Sequence, residues 1–243
     1  MITARGLTKR YGDTLAVDHL SFDITPGIVT GFLGPNGSGK STTIRMILGL
    51  DIPTAGTVTV NGRVYRDLPA PMREVGALLD ATAIQGGRTA RQHLRWIAQA
   101  AGLPKGRVDE VLDTVGLTDA ADKQVGGFSL GMAQRLGIAT ALLGDPGVLI
   151  FDEPVNGLDP EGILWFRTLM RRLAGEGRTI FVSSHLMSEM QEMADHVLVI
   201  GRGRLIADAT INDVTGRGSG NAVRVVSPRL PDLVPFLESA GAA

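Results

Sequence analysis

The sequence predicts an α/β protein whose central β-sheet is mainly parallel, and three observations support this fold class. The runs Val148–Phe151 and Ile180–Val182 are short and entirely apolar, as expected for parallel strands that are covered on both faces. Helical patterns separate these runs along the chain. Between about residues 84 and 144 the apolar positions follow helical spacing, which predicts a helical subdomain inserted into the α/β fold.

The N-terminal part alternates between strand-like runs and turn residues. Five such runs precede the helical insertion, at residues 2–11, 15–23, 29–33, 56–61 and 75–79. The first two end at Gly12-Asp13 and Pro26-Gly27, which are typical turn sequences. We therefore expect an antiparallel β subdomain at the N-terminus. The run 29–33 is mostly apolar and predicts a buried strand.

The helices follow from the spacing of apolar residues and from the residues that end them. One helix is expected directly after Ser41, because apolar side chains recur there at helical spacing. The last helix of the insertion begins at Ser129, a typical N-cap residue, and ends at Gly144-Asp145-Pro146. Two further helices, at 160–174 and 186–194, flank the second apolar strand.

The C-terminal part contains a boundary. A hairpin at 196–200 and 204–208 closes the predicted main domain, which we place at residues 1–214. The glycine-rich stretch 215–221 predicts a flexible linker. Residues 222–243 have the pattern of one βα unit, which is too small to bury a core alone. This unit either packs on the main domain or is the start of an accessory domain.

Composition limits the classes of function. The 243 residues are 44% hydrophobic and 20% charged, which is typical of a soluble globular protein and excludes wholesale disorder. Cysteine is absent, so disulfides and Cys-ligated zinc or iron–sulfur sites are excluded. The 24 basic and 25 acidic residues give a net charge of −1. Without a global cationic field we expect no nucleic-acid partner.

No targeting or membrane-spanning segment is expected. The basic residues within Met1–Tyr11 are not followed by the apolar stretch of a secretory signal. The sequence also lacks the roughly eighteen consecutive apolar residues that a membrane-spanning helix needs. We therefore expect a cytosolic location, with attachment to a membrane only through a partner.

A phosphate-binding pattern lies between a predicted strand and a predicted helix. The pattern G-x-x-x-x-G-K-[ST] is matched by Gly34-Pro35-Asn36-Gly37-Ser38-Gly39-Lys40-Ser41. Glycines there let successive N–H groups surround an anion, and the start of the helix adds its positive dipole end. Lys40 would reach the β- and γ-phosphates and Ser41 would ligate Mg²⁺. The alternative is a glycine-rich turn that binds nothing.

Polar residues follow the two apolar strands. Asp152 and Glu153 come directly after Val148–Phe151, and His185 comes shortly after Ile180–Val182. Ligands bind at the carboxyl ends of strands in doubly wound sheets, so we expect all three side chains near the phosphate loop. Asp152 fits a Mg²⁺ ligand, Glu153 a general base and His185 a hydrogen-bond donor to the γ-phosphate. The alternatives are helix-capping acids and a structural histidine.

Five motifs stand in a fixed order along the chain. They are the phosphate loop extended to Thr42, Ser129-Leu130-Gly131-Met132, Ile150-Phe151-Asp152-Glu153-Pro154, Gly157-Leu158-Asp159 and Ser183-Ser184-His185. In these motifs the chain resembles the ATP-binding subunits of ABC transporters, over about residues 2–208. Within that family it resembles the drug- and antibiotic-export branch. The resemblance implies a P-loop NTPase core of the RecA-like type, with ATP and Mg²⁺ as cofactors.

The resemblance also implies contacts that a second subunit completes. Ser129 and Gly131 belong to the family's signature motif, which contacts the γ-phosphate bound by the other subunit. Asp159 corresponds to the D-loop, which lies across the dimer seam. Tyr11 matches the aromatic residue that stacks on adenine, and the alternative is an ordinary surface or core tyrosine. We therefore expect a second copy of the chain, or a related subunit, as a partner.

Two positions depart from the family pattern. Asp80 stands where the family usually has Gln. Because a carboxylate is a competent Mg²⁺ ligand, Asp80 becomes a candidate metal ligand beside Ser41 and Asp152. In the signature motif Leu130 and Met132 replace the usual Gly and Gln. The serine and the second glycine of that motif are kept, so we expect the phosphate contact to persist.

The function implied by the resemblance is ATP hydrolysis that drives a separate membrane permease. The subunit would dimerise around MgATP at the cytoplasmic face of the membrane and export a drug or another small molecule. One alternative is a non-transport ABC-type ATPase that acts as a nucleotide-gated switch, although the sequence has one cassette and no heptad run. Another is an energising subunit that mainly binds ATP, with hydrolysis weakened by Asp80.

Overall fold

Two β-sheets and a block of helices make up the part of the chain that the computed structural model describes, residues 1–81, 84 and 86–218. Its strands are β1 (Ile2–Tyr11), β2 (Thr14–Ile24), β3 (Val29–Leu33), β4 (Ala55–Val60), β5 (Val75–Leu78), β6 (Val148–Phe151), β7 (Thr179–Ser184), β8 (His196–Gly201) and β9 (Arg204–Thr210). Its α-helices are α1 (Lys40–Ile47), α2 (Pro71–Glu74), α3 (Ala90–Ala100), α4 (Arg107–Thr114), α5 (Leu130–Leu142), α6 (Pro160–Gly175), α7 (Met187–Met193) and α8 (Ile211–Gly218).

The smaller sheet has the strand order β2-β1-β4, and both of its pairings are antiparallel. This confirms the predicted antiparallel subdomain at the N-terminus. The alternating burial along β2 shows one face turned to the core and one to solvent, as is common in antiparallel sheets.

The larger sheet has six strands in the order β5-β6-β7-β3-β8-β9. The first five strands are parallel, and only the hairpin pair β8–β9 is antiparallel. The sheet is therefore mainly parallel, as predicted. Strands β3, β6 and β7 are adjacent or separated by one strand, so their carboxyl ends meet at one edge of the sheet.

A cluster of aromatic rings joins the two sheets. Phe22 of β2 lies 6.3 Å from both Phe32 of β3 and Phe181 of β7, measured between ring centroids. The rings of Phe32 and Phe181 are 5.2 Å apart. All three side chains are buried, and each contributes about 1.5–3 kcal/mol of hydrophobic stabilisation. This cluster fixes the antiparallel sheet on one face of the parallel sheet.

The inserted helices form the predicted helical subdomain and contact the large sheet through α5. Helix α3 begins with a capping box between Thr89 and Gln92. Helix α5 begins at Ser129, whose hydroxyl accepts a hydrogen bond from the Met132 amide. Its C-terminal half lies so close to β5 that a Cβ atom on Gly76 would sit 1.9 Å from the Ala141 carbonyl oxygen.

Two elements differ from the sequence-based expectation. The four-residue helix α2 was not predicted; it begins at a proline, which is favoured in the first turn of a helix. Helix α8 covers Ile211–Gly218, so residues 215–218 of the predicted flexible linker are helical. Glycines are favoured at helix ends as well as in linkers, which explains the error. The rest of the linker and the predicted βα unit at 222–243 lie outside the described residues.

The described residues divide into a unit of Met1–Ile211 and a second unit that starts at Asn212. Among them, no helix combines the length and the apolar character that a bilayer crossing requires. The longest, α6, has 16 residues.

Substitution of Gly76 by alanine tests the contact between β5 and α5. The added methyl group would clash with backbone, so we expect the free energy of unfolding to fall by about 1–3 kcal/mol. For a chain of this size the melting temperature should fall by roughly 2–4 °C per kcal/mol. Gly147→Ala is the matched control, because a Cβ there meets nothing within 4 Å. Equal melting temperatures for the two variants, measured by calorimetry, would contradict the close packing.

Candidate functional site

The loop between β3 and α1 has the geometry of an anion cradle. Its first residue, Gly34, donates its amide hydrogen to the Ser184 carbonyl at the end of β7. Gly39 has φ = 106°, and a Cβ there would lie 2.6 Å from the Ala16 carbonyl, so this position requires glycine. Helix α1 starts without a side-chain cap, which leaves its first amide groups available to a ligand.

The ammonium group of Lys40 is buried beside this loop, with 6% of the side chain exposed. Its Nζ donates a hydrogen bond to the Gly34 carbonyl at 2.7 Å and lies 3.4 Å from Oε1 of Glu153. A buried charge needs a compensating partner, and here the Glu153 carboxylate provides it. The predicted proximity of the phosphate loop and Glu153 is therefore observed.

Glu153 occupies the position after Asp152 with φ = 50°, a left-handed conformation that side chains other than glycine rarely adopt. Its Oε2 lies 2.9 Å from Nδ1 of His185. Its Oε1 is buried and accepts no hydrogen bond from the described residues. One carboxylate oxygen is thus positioned by histidine, and the other faces Lys40 with its hydrogen-bonding capacity unused.

Asp152 is fixed from both neighbouring strands. Its amide donates to the Leu78 carbonyl of β5 at 2.8 Å, and its Oδ1 accepts a hydrogen bond from the Ser183 hydroxyl at 2.5 Å. The same hydroxyl accepts a hydrogen bond of 2.9 Å from the Glu153 amide. Ser183 therefore contacts both acidic residues.

The remaining predicted metal ligands, Ser41 and Asp80, line different cavities. Ser41 is exposed in the first turn of α1. Asp80 follows β5 and lines a mainly apolar cavity of about 450 Å³, together with residues such as Leu48 and Ile97. Within the part of the chain that the structure describes, no three His, Asp or Glu side chains come together as a metal-binding group. The metal-ligand roles of Ser41, Asp152 and Asp80 stay predictions.

A cavity of about 200 Å³ opens at the phosphate loop. It is lined by Ala16, Asn36, Gly37, Gly39, Lys40, Ser41, Thr42 and Glu153. The Ser38 hydroxyl of the same loop is buried and has no hydrogen-bond partner among the described residues. Pockets that enclose a whole small ligand measure about 300–1,000 Å³. The cavity at the phosphate loop is below this range, so it would enclose only part of a small ligand.

Ser129, Gly131 and Asp159, which the resemblance assigns to contacts with the other subunit, are absent from the lining of that cavity. Ser129 is the N-cap of α5, and Asp159 is the N-cap of α6, where its Oδ1 accepts a hydrogen bond from the Gly162 amide. Gly131 packs against the loop before α6, since a Cβ there would lie 3.2 Å from the Gly157 carbonyl. These two helix starts are neighbours, and their nucleotide contacts remain predictions.

Tyr11 projects from the end of β1 with 45% of its surface exposed. Its hydroxyl donates to Oδ2 of Asp51 at 2.8 Å, and the Arg45 guanidinium donates to the same oxygen. Desolvation and the bond to Asp51 raise the pKa of Tyr11, while Arg45 and Tyr11 lower the pKa of Asp51. The phenol therefore stays a donor and the carboxylate an acceptor at neutral pH. Lys9 Nζ lies 4.9 Å from the ring centroid.

Three residues of this region received no role from the sequence. Ser183 contacts both acidic residues, Asp51 orients Tyr11, and buried Gln134 donates from Nε2 to the Pro154 carbonyl at 2.7 Å. A polar residue at the end of an apolar strand was the available signal for Ser183. Asp51 and Gln134 are far from their partners in sequence, so no local pattern indicates their contacts.

Comparison with known proteins agrees with the motifs. A family model described as "ABC transporter" matches residues 17–156, more than half of the chain. The bacitracin transport ATP-binding protein BcrA of Bacillus licheniformis is 44% identical over 220 residues, which cover 89% of this chain and 72% of BcrA. The Nod factor export ATP-binding protein I of Burkholderia orbicola is 39% identical over 219 residues, covering 85% and 70%.

A solved structure described as the ATP-binding subunit of an ABC transporter superimposes with a TM-score of 0.82 at 27% identity, over 98% of this chain and 99% of that one. The antiparallel N-terminal sheet, the mainly parallel six-stranded sheet and the helical insertion are thus the fold of this family. The chain belongs to the ABC transporter family, as an ATP-binding subunit.

Proposed function

We propose that this chain binds MgATP between itself and a second subunit, hydrolyses the nucleotide and thereby drives a separate membrane permease. The observation that carries this proposal is the position of Glu153 beside the phosphate loop. One of its carboxylate oxygens is bonded to His185, and the other faces the buried Lys40 ammonium without a hydrogen bond. An ionised carboxylate in this position suits a base for a water molecule next to the γ-phosphate.

The proposed reaction is an in-line phosphoryl transfer to water. The oxygen of the water attacks the γ-phosphorus, the bond from that phosphorus to the β,γ-bridging oxygen breaks, and ADP and phosphate leave. Glu153 accepts the proton of the water, and Lys40 offsets the charge on the β- and γ-phosphates. His185 donates to the γ-phosphate and keeps Glu153 in position.

Mg²⁺ fits the residues at the site. The exposed Ser41 hydroxyl and the Asp152 carboxylate are oxygen donors of the kind that this ion prefers. The buried Ser38 hydroxyl has no hydrogen-bond partner among the described residues, which supports a loop that binds a ligand. Ser41 and Asp152 would hold the ion, with Asp80 as a further candidate. When bound, the ion neutralises charge on the β- and γ-phosphates.

A second subunit is supported by the incomplete cavity. The 200 Å³ cavity would hold only part of a nucleotide, and the helix starts at Ser129 and Asp159 lie outside its lining. Amide groups at the start of a helix favour an anion, so the start of α5 suits a phosphate presented by another chain, and Asp159 would lie at the seam between the two chains. We expect two copies, or this chain and a related one, to enclose two ATP molecules.

The partner in the membrane and the direction of transport rest on the relatives. BcrA is described as a bacitracin transport protein, and the Burkholderia relative as a Nod factor export protein. By analogy this chain would work at the cytoplasmic face of a membrane, docked to a permease that exports a drug or another small molecule.

Co-purification with a polytopic membrane protein, followed by an ATPase assay with candidate drugs, tests the proposed permease partner and the direction of transport. ATP turnover that neither a co-purified membrane protein nor any candidate drug changes would favour a regulatory ATPase.

Lys40→Ala tests the phosphate loop. Removal of the ammonium should abolish measurable ATP binding, because the β- and γ-phosphates lose their main counter-charge. For the unchanged protein, ATP at one hundred times its dissociation constant should raise stability by about 2.7 kcal/mol. Isothermal titration calorimetry measures the affinity for ATP, and a thermal shift assay measures the stabilisation by ATP. Lys105→Ala, an exposed lysine in the helical subdomain, should bind ATP normally. Unchanged affinity in the Lys40 variant would disprove the assignment.

Glu153→Gln tests the proposed base. The amide keeps the shape of the side chain but accepts a proton poorly, so turnover should fall by about 10²–10⁴-fold while ATP binding persists. With MgATP this variant should accumulate as a dimer, because the ATP molecules between the two subunits are no longer hydrolysed. Light scattering detects the dimer. Glu110→Gln, on an exposed face of α4, serves as the control. Normal hydrolysis by the Glu153 variant would exclude a general-base role.

Asp80→Asn tests the candidate metal ligand that replaces the family's usual glutamine. If the Asp80 carboxylate binds Mg²⁺, its replacement by an amide should weaken that binding. The Mg²⁺ concentration that gives half-maximal turnover should then rise by about tenfold or more. Asp67→Asn is the control, because Asp67 is exposed and lies in a separate turn. Should neither Mg²⁺ dependence nor turnover change, Asp80 does not act at the metal.

A further inference from the structure

Ser183 is a polar residue at a position where the sheet is otherwise apolar. It lies near the carboxyl end of β7 and is fully buried, and its register neighbour on β3 is Phe32. A buried hydroxyl costs stability unless it is hydrogen-bonded. The two hydrogen bonds of Ser183 are therefore a defining property of this position.

The direction of both hydrogen bonds is fixed by chemistry. The Glu153 amide can only donate, so the Ser183 Oγ accepts from it at 2.9 Å. The hydroxyl hydrogen is then free to point at Oδ1 of Asp152, which accepts it at 2.5 Å. A hydrogen bond to an ionised carboxylate is stronger than one between neutral groups. One hydroxyl thus joins the side chain of Asp152 to the backbone of Glu153.

The bond to Glu153 matters because of the backbone conformation there. With φ = 50°, Glu153 adopts a left-handed conformation that persists only when its surroundings enforce it. The same conformation directs the carboxylate toward Lys40 and His185. Loss of the Ser183 hydroxyl would remove one restraint on this backbone and leave an Asp152 oxygen without its donor.

We propose that Ser183 is a positioning residue that fixes the Asp152 carboxylate and the Glu153 backbone as one unit. This inference rests on the proposed roles of Asp152 at the metal and of Glu153 as the base. Ser183 contacts neither nucleotide nor ion in the proposed mechanism; it determines where the two acidic groups point.

The adjacent serine, Ser184, has a different structural role. The Ser184 hydroxyl donates to Oε2 of Glu189 at 2.5 Å and accepts a hydrogen bond from the Leu186 amide. Ser184 therefore orders the turn that leads from β7 into α7. Of the two neighbouring hydroxyls, that of Ser183 alone contacts the acidic pair.

The test compares Ser183→Ala with Thr179→Val. Thr179 lies at the other end of β7, is equally buried, and its hydroxyl accepts a hydrogen bond from the Met1 amino group. Both variants remove one buried hydroxyl from the same strand, but only the first touches the acidic residues. Ser183→Thr retains the hydroxyl and serves as the rescue variant.

The first readout needs neither nucleotide nor metal. In Ser183→Ala, hydrogen exchange of the Glu153 amide, followed by NMR, should become faster than in the unchanged protein and in Thr179→Val.

The second readout is steady-state ATP hydrolysis. In Ser183→Ala, kcat should fall by about 10–100-fold and the Mg²⁺ concentration for half-maximal rate should rise. KM for ATP should stay within about twofold, because the phosphate loop is unchanged. Ser183→Thr should recover most of kcat.

Three results would overturn the proposal. They are unchanged exchange of the Glu153 amide in Ser183→Ala, wild-type kcat with wild-type Mg²⁺ dependence, and an equal loss of kcat in Thr179→Val. Failure of the proposed function gives a different pattern, because Glu153→Gln would then hydrolyse ATP normally. If Glu153→Gln is inactive while Ser183→Ala is fully active, only the positioning role is wrong.

Discussion

The candidate site depends on one buried charge, the ammonium of Lys40. A charge in this position must be compensated, and the carbonyl of Gly34 and the carboxylate of Glu153 do so from two different segments of the chain. Compensation requires the loop after β3 and the end of β6 to lie together, with β7 between the two strands. The strand order of the large sheet is thus the condition for the site. A nucleotide phosphate would replace part of this compensation when it binds.

The sheet order also explains why β7 contributes so many contacts. Because β7 lies between β3 and β6, its last residues reach both the phosphate loop and the acidic pair. The Ser184 carbonyl accepts the Gly34 amide, Ser183 contacts Asp152 and Glu153, and His185 contacts the Glu153 carboxylate. A single strand end therefore connects the group that compensates phosphate charge with the group that accepts a proton in the proposed reaction.

Much of this arrangement could be predicted from the sequence, because its signals are local. Apolar runs marked β6 and β7, turn residues marked the ends of β1 and β2, and the phosphate-loop pattern marked the start of α1. The approach of Lys40, Glu153 and His185 followed from the rule that parallel strands end at one edge. Individual side-chain hydrogen bonds did not follow. The contact of Ser183 with Asp152 depends on the register that pairs Phe151 with Val182, which packing on both faces of the sheet determines.

Other features were missed for related reasons. Asp51 contacts Tyr11 across forty residues of chain, so no periodicity connects them. Residues 215–218 of helix α8 were assigned to a linker because glycine is common both in linkers and at helix ends. Asp80 lines the larger cavity beyond β5, which no local sequence pattern indicated, and its role at the metal stays a prediction.

The buried bond from Gln134 to the Pro154 carbonyl has a mechanical consequence. Gln134 lies on α5, the helix that Ser129 caps, and Pro154 directly follows Glu153. A rotation of the helical subdomain against the sheet must either carry the Pro154 peptide with it or leave a buried amide without its acceptor. Because the second outcome is unfavourable, a movement of this helix would shift the backbone next to Glu153. The start of the helical subdomain's last helix and the backbone next to the candidate base are thereby linked through one side-chain amide.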